Sequence, residues 1–123
     1  DLYMVEDVPS PDLRLLYKHA RATICPSFGE GFDLPGVEAM KSGGAVVASD
    51  IAVHREIYAD AAEYCDPYSS QDLARAIREV IDPARAARRD ELVARGAIVS
   101  RRYAHEAILP QWQAFLTSRL QRT

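Results

Sequence analysis

Short, nearly continuous apolar runs alternate along the chain with longer stretches whose apolar positions recur every three or four residues. The first kind predicts strands, the second helices. Leu2 to Val5 predicts a short strand ending at Glu6 and Asp7. PSPDLRLLYKHA predicts a helix: Ser10 can cap it, Pro11 suits its first position, and Leu13, Leu16 and Tyr17 keep helical spacing. ATICPS predicts a strand stopped by Pro26. A glycine-rich loop follows, Ser27 to Leu34; Pro35 then opens a helix to about Lys41 or Ser42, broken by Gly43-Gly44. AVVAS is almost wholly apolar, the pattern of a strand covered on both faces in a parallel sheet. VHREIYAD predicts a short helix and AEYCD another strand. SSQDLARAIREVI predicts an amphipathic helix capped by Ser70, with Leu73, Ile77, Val80 and Ile81 as its buried stripe. Pro83 starts a helix through ARAARRDELVARGAIV. A last helix, from about Tyr103 to Leu120, carries Trp112, and Pro110 is expected to bend or split it.

Strands alternating with helices predict an α/β fold: a Rossmann-like parallel sheet of about four strands flanked by helices, forming one domain over residues 1–123. No internal repeat or low-complexity segment interrupts it. Four strands are few for a nucleotide-binding domain, and the pattern opens inside a strand. The expectation is a piece of a longer protein whose upstream half-sheet lies elsewhere.

Composition narrows the function classes. The hydrophobic fraction is 48% and the charged fraction 27%, ordinary for a globular protein. A net charge of -3 argues against a broad basic face for nucleic acid. No apolar run approaches the roughly 20 residues of a membrane span, and no signal-peptide pattern opens the sequence. Cys25 and Cys65 stand far apart without a C-x-x-C or a His cluster, so free buried thiols are expected and no metal site. A cytoplasmic location fits that cysteine usage.

The candidate chemistry lies in TICPSFGEGFDLPGVEAM, a strand, loop and helix start. Ligands of open α/β folds sit at the carboxyl ends of strands, near helix N-termini. Gly29, Gly31 and Gly36 allow a close backbone approach. The helix at Pro35 offers unpaired amides and a positive dipole end to a phosphate. Glu38 lies about 5 Å into that helix, where a carboxylate can accept from the vicinal hydroxyls of a ribose. Glu30, in the loop, can accept from hydroxyls of a sugar beyond the phosphates. Together they describe a sugar nucleotide. Each feature alone has a plainer explanation: Glu38 as a carboxylate complementing the helix dipole, Glu30 as a solvated loop residue. The combination and its order carry the argument.

The stretch PSFGEGFDLPGVEAMKSGGAVVASD closely resembles the signature of retaining glycosyltransferases of family 4, which have the GT-B architecture. Glu30 and Glu38 match the two glutamates of its E-x7-E motif. SPDLRLLYKHARATICPS and HREIYADAAEYCDPYSSQDLARAI resemble its flanking segments. The resemblance implies that this chain is part of the C-terminal, nucleotide-sugar-binding domain. It implies that Glu30 contacts the donor sugar, the one candidate for a catalytic role, and that Glu38 binds ribose. Backbone around Gly31, Phe32, Leu34 and Gly36 would contact the donor sugar and diphosphate, with the base near Val5 to Val8. The donor would be a nucleoside-diphosphate sugar, with mannose the sugar suggested, and neither metal nor other cofactor is implied. An Arg/Lys pair for the leaving diphosphate, and an N-terminal domain for a glycan or lipid-linked acceptor, are expected upstream of this chain. Retention is attributed to same-face attack, assisted by the donor phosphate. Peripheral association of the full-length enzyme with the inner face of the membrane fits the same picture.

Two positions depart from the family pattern. Asp33 stands where glycine is frequent; it tolerates a left-handed backbone, and it is expected to face solvent or cap the next helix, away from the diphosphate. Tyr103-Ala104-His105 replaces an aromatic-Ser/Thr-Trp step. The alternatives are a GT-B sugar-nucleotide epimerase, which would need acid/base groups not identified here, and a non-catalytic nucleotide-binding module. His54 and Arg55 are expected at a solvated helix start, His19 and His105 as structural or surface residues, and Arg85, Arg88 and Arg89 as a solvated face. Tyr103 and Trp112 are expected to pack the last helix onto a core or onto the domain expected upstream.

Overall fold

A computed structural model describes residues 1–121. Its core is one parallel sheet in the order β1 (Thr23–Cys25), β2 (Val46–Ser49), β3 (Ala62–Cys65). Ile24 lies opposite Val47, and Ala48 opposite Tyr64. α1 (Ser10–His19) precedes the sheet; α2 (Leu34–Lys41) joins β1 to β2 and α3 (Ala52–Tyr58) joins β2 to β3. α4 (Ser70–Ile81), a 3-10 turn (Pro83–Arg85), α5 (Ala86–Arg101) and α6 (His105–Leu120) follow.

Every residue of β2 is buried, as its unbroken apolar sequence requires. Side chains alternate across a strand, so Val46 and Ala48 join one apolar cluster, with Val37, Met40, Tyr58 and Val99. Val47 joins the other, with Ala76, Val80 and Leu92. The sheet is covered on both faces, which settles its α/β class. In α4 the deepest residues are Ala76 and Val80, while Leu73, Ile77 and Ile81 are half-buried.

Several boundaries differ from the sequence expectation. Leu2 to Val5 forms no strand; its side chains are 67–90% exposed. A strand exists only with a hydrogen-bonded neighbour, and the sheet among the described residues has three strands rather than about four. The N-cap of α1 is Pro9, without a side-chain bond, so Ser10 caps nothing. α4 is capped one residue earlier than expected: the Ser69 hydroxyl, not that of Ser70, accepts from the Asp72 amide at 3.1 Å. α6 starts at His105 and runs through Pro110 without splitting. Proline removes a single amide donor there, and the Gln111 side chain donates to the Ala107 carbonyl at 2.8 Å in the same turn.

The arginine run is not a free solvated face. Arg88 bridges Glu63 and Glu91 at 2.8 and 2.7 Å, Arg85 pairs with Glu79, and Arg89 donates to the carbonyls of Ala20 and Arg21. These contacts fasten the start of α5 to β3 and to the end of α1. Tyr103 packs as expected, its ring edge-on to Phe32 at 5.0 Å. Trp112 joins neither core cluster among the described residues: it is 58% exposed, and no residue of α6 is buried.

Candidate functional site

β1 ends at Cys25, and the chain leaves the carboxyl end of the sheet through Pro26 into the loop that carries Glu30. Glu30 is exposed; its carboxylate accepts from the Ser27 hydroxyl at 2.6 Å. The base of this loop is tied to β2, because the buried Ser49 hydroxyl donates to the Ser27 carbonyl. Gly29 and Gly31 have open space where a side chain would stand. Phe32 is 37% exposed and Leu34 is exposed at the first position of α2.

α2 begins with the amides of Leu34, Gly36 and Val37; Pro35 contributes none. Gly36 serves packing as well. A Cβ there would collide with the Tyr58 hydroxyl and ring, and that hydroxyl donates to the Asp33 carbonyl at 3.0 Å. Burial pushes the Tyr58 phenol well above its ordinary value, with its contact to Asp33 adding to the shift.

Glu38 lies one turn further in and is half-buried. It lines an open groove of about 470 Å³ between α1 and α2, with Leu13, Arg14, Tyr17, Lys18 and Lys41 among its neighbours. Burial raises the Tyr17 phenol, and the nearby Glu38 carboxylate raises it further. Nothing in the sequence points to Arg14, Tyr17 and Lys18 as neighbours of Glu38. Their spacing of three and four residues puts them on one helix face, a signal that names the face but not what it opposes. Glu30 does not line this groove; its carboxylate stays on the loop with Ser27.

Asp33 and His54 overturn two expectations. Asp33 precedes α2 in the left-handed region (φ 65°), yet its side chain makes no capping bond and is 6% exposed. It turns inward, where His54 Nε2 lies 2.9 Å from its Oδ2. The contact is off the line of a good hydrogen bond, and neither atom has another partner among the described residues. His54 is fully buried rather than solvated. Its Nδ1 lies 2.8 Å from the Ser49 carbonyl oxygen and its ring stacks on Tyr58 at 5.2 Å. The physical reason is shared: the left-handed turn aims the Asp33 side chain under α2, and a buried carboxylate needs a partner there. Arg55 does stand at the surface, bonded twice to Asp50 at 2.7 Å and lying over the Tyr64 ring. His19 and His105 are exposed.

Cys25 and Cys65 are free and buried. Burial, then the Asp33 charge, pushes the Cys25 thiol up to about 12, which removes it as a nucleophile. Among the described residues no group of three or more His, Cys, Asp or Glu is placed to hold a metal ion.

The model of the family "glycosyl transferases group 1" matches residues 1–96. O-antigen chain mannosyltransferase RfbU of Salmonella typhimurium is 36% identical over 76 residues, 62% of this chain and 22% of that protein. O-antigen chain mannosyltransferase B of Escherichia coli is 47% identical over 60 residues, 49% of this chain and 16% of that protein. Lipopolysaccharide core biosynthesis mannosyltransferase LpcC of Rhizobium leguminosarum is 43% identical over 47 residues, 38% of this chain and 13% of that protein. The matched part spans between 13% and 22% of these relatives' length. With the family model covering most of its residues, and with a helix-flanked parallel sheet beneath the Glu30–Glu38 segment, the chain belongs to the glycosyl transferases group 1 family.

Proposed function

We propose that this chain is the donor-binding part of a glycosyltransferase that moves mannose from a nucleoside-diphosphate sugar to a glycan or lipid-linked acceptor. The observation that carries the proposal is the order of groups around the start of α2. Glu30 stands on an open glycine loop, the first-turn amides follow, and Glu38 lies a turn further along in the groove. Glu30 accepts from the donor sugar, the amides around Gly31, Phe32, Leu34 and Gly36 meet the diphosphate, and Glu38 accepts from the ribose. Arg14, Lys18 and Lys41 make the same groove favourable for an anionic ligand. The mannosyltransferase names of the relatives favour mannose and a polysaccharide acceptor.

The transfer proposed retains configuration and uses no metal. Charge on the departing diphosphate is stabilised by fixed dipoles at the helix start, together with cationic groups and an acceptor domain elsewhere in the full-length enzyme. No helix of the described residues is long and apolar enough to cross a membrane. The proposed setting is the cytoplasm, with peripheral attachment at the inner membrane face. No observation favours the epimerase or the non-catalytic module.

Calorimetry with GDP, UDP and ADP tests the reading on this chain, and a thermal-shift panel of their sugars tests it on the full-length parent. One nucleotide is expected to bind, and Glu38→Ala to weaken it about tenfold or more through loss of charge-assisted hydrogen bonds. Equal affinity of the variant and the parent chain would overturn the ribose assignment.

A further inference from the structure

The inward turn of Asp33 raises a question of charge. Its carboxylate belongs to the residue that precedes α2, where the proposed function needs positive potential. An ionised, uncompensated carboxylate at that position would oppose a diphosphate. The hydrogen-bond pattern around His54 bears on how the charge is met. The Ser49 carbonyl can only accept, so Nδ1, 2.8 Å from it, carries a proton. The Ser49 hydroxyl spends its own proton on the Ser27 carbonyl, so toward Nδ1, 3.3 Å away, it too can only accept. Nε2 then faces Asp33 Oδ2 at 2.9 Å. Two bare lone pairs cannot share that buried gap. A proton between them, on the ring as imidazolium or on the carboxyl as acid, would give the pair zero net charge in either arrangement.

We propose that Asp33 and His54 are a neutral positioning pair. By holding one shared proton, it keeps the start of α2 attractive to the donor's diphosphate while fixing the left-handed turn from beneath. The same network reaches the sugar side of the site. Ser49, which accepts from His54 through its carbonyl, also holds the Ser27 carbonyl at the foot of the Glu30 loop. His54 is therefore a positioning residue: it meets no ligand, and it acts through Asp33 and Ser49. This inference rests on the donor-binding reading, but its proton count does not.

The test combines a double-mutant cycle with nitrogen NMR of the imidazole, on the whole chain. The ligands are whichever of GDP, UDP and ADP binds best, and the matching nucleoside. His54→Gln leaves Asp33 charged; it is expected to weaken the diphosphate about five- to tenfold and leave the nucleoside unchanged. Asp33→Asn keeps a polar partner for the ring, and both the single variant and Asp33→Asn/His54→Gln are expected to bind the diphosphate within about twofold of the parent. A purely structural role would weaken nucleoside and diphosphate alike and show no recovery in the double variant, which would overturn the inference. Should His54→Gln fail to fold, loss of diphosphate affinity in Asp33→Asn overturns it equally. The NMR arm needs no ligand: protons on both ring nitrogens, or a protonated Asp33 carboxyl, support the pair. A bare nitrogen beside an ionised Asp33 refutes it. If the parent chain binds none of the three nucleotides, the donor-binding reading and the electrostatic role both fall, while the NMR result still decides the proton.

Discussion

Gly36 and Tyr58 show how much rests on single atoms. The glycine leaves room for a phenol that no Cβ at position 36 would tolerate. Gly36→Ala is expected to destabilise the chain by about 1–3 kcal/mol, as overpacking of a filled core does, read as a lowered urea midpoint. Buried thiols make a second residue-scale case. Cys25, with its pKa pushed up to about 12, holds almost no thiolate at pH 8, and Cys65, raised in the same direction by burial, is closed off with it. A thiol reagent at that pH should label neither in the native chain and both after denaturation. Fast native labelling of Cys25 would contradict its place under the loop. Asp33 and His54 belong to this scale too, and neither was legible in the sequence. Nothing local distinguishes a histidine at a helix start from a solvated one; only the third dimension brings it under a carboxylate in another segment.

At the scale of elements, α2 is held from two sides. Its Met40 packs against Gly96 of α5, where a Cβ would stand 2.9 Å from the methionine Cγ. The overlap at position 36 is deeper and falls on a rigid ring, so Gly96→Ala should cost less than Gly36→Ala, and calorimetric melting of the two variants orders them. Ionic contacts hold other joints. Asp50 is kept below the usual carboxylate range by its bonds to Arg55, Asp72 by Arg75 and the Asp66 amide, and Glu91 by Arg88. Carboxylates depressed in the folded state contribute stability above their ordinary values near about 4, and lose it as pH falls through the lower folded values. The urea midpoint should therefore fall below about pH 4; a midpoint unchanged at pH 3 would contradict these pairings. β1 to β3 and the core of each helix were legible, because apolar runs and Pro35 act locally. Leu2 to Val5 was not, since the same pattern stays coil when no neighbouring strand accepts its hydrogen bonds. The Glu30–Glu38 order was legible as spacing, whereas the groove also needs Arg14, Tyr17 and Lys18, which only the docking of α1 supplies.

At the scale of the molecule, α6 stands apart from the two clusters that cover the sheet. The chain's single tryptophan reports on it. Trp112 should emit as a water-exposed indole and be quenched readily by acrylamide, and limited proteolysis should cut within α6 before α2 or β2. A blue-shifted, protected Trp112 would mean that this helix finds a partner. The part of the molecule beneath the donor groups has the opposite character, and Gly36 against Tyr58 gives it a historical consequence. Alanine at 36 meets the phenol, while a smaller residue at 58 leaves a void beside His54. Either single change passes through a destabilised intermediate, so over descent the two positions should behave as one inherited character. A lineage that loses the tyrosine becomes free to lose the glycine, and Gly36→Ala placed in such a background should be nearly neutral.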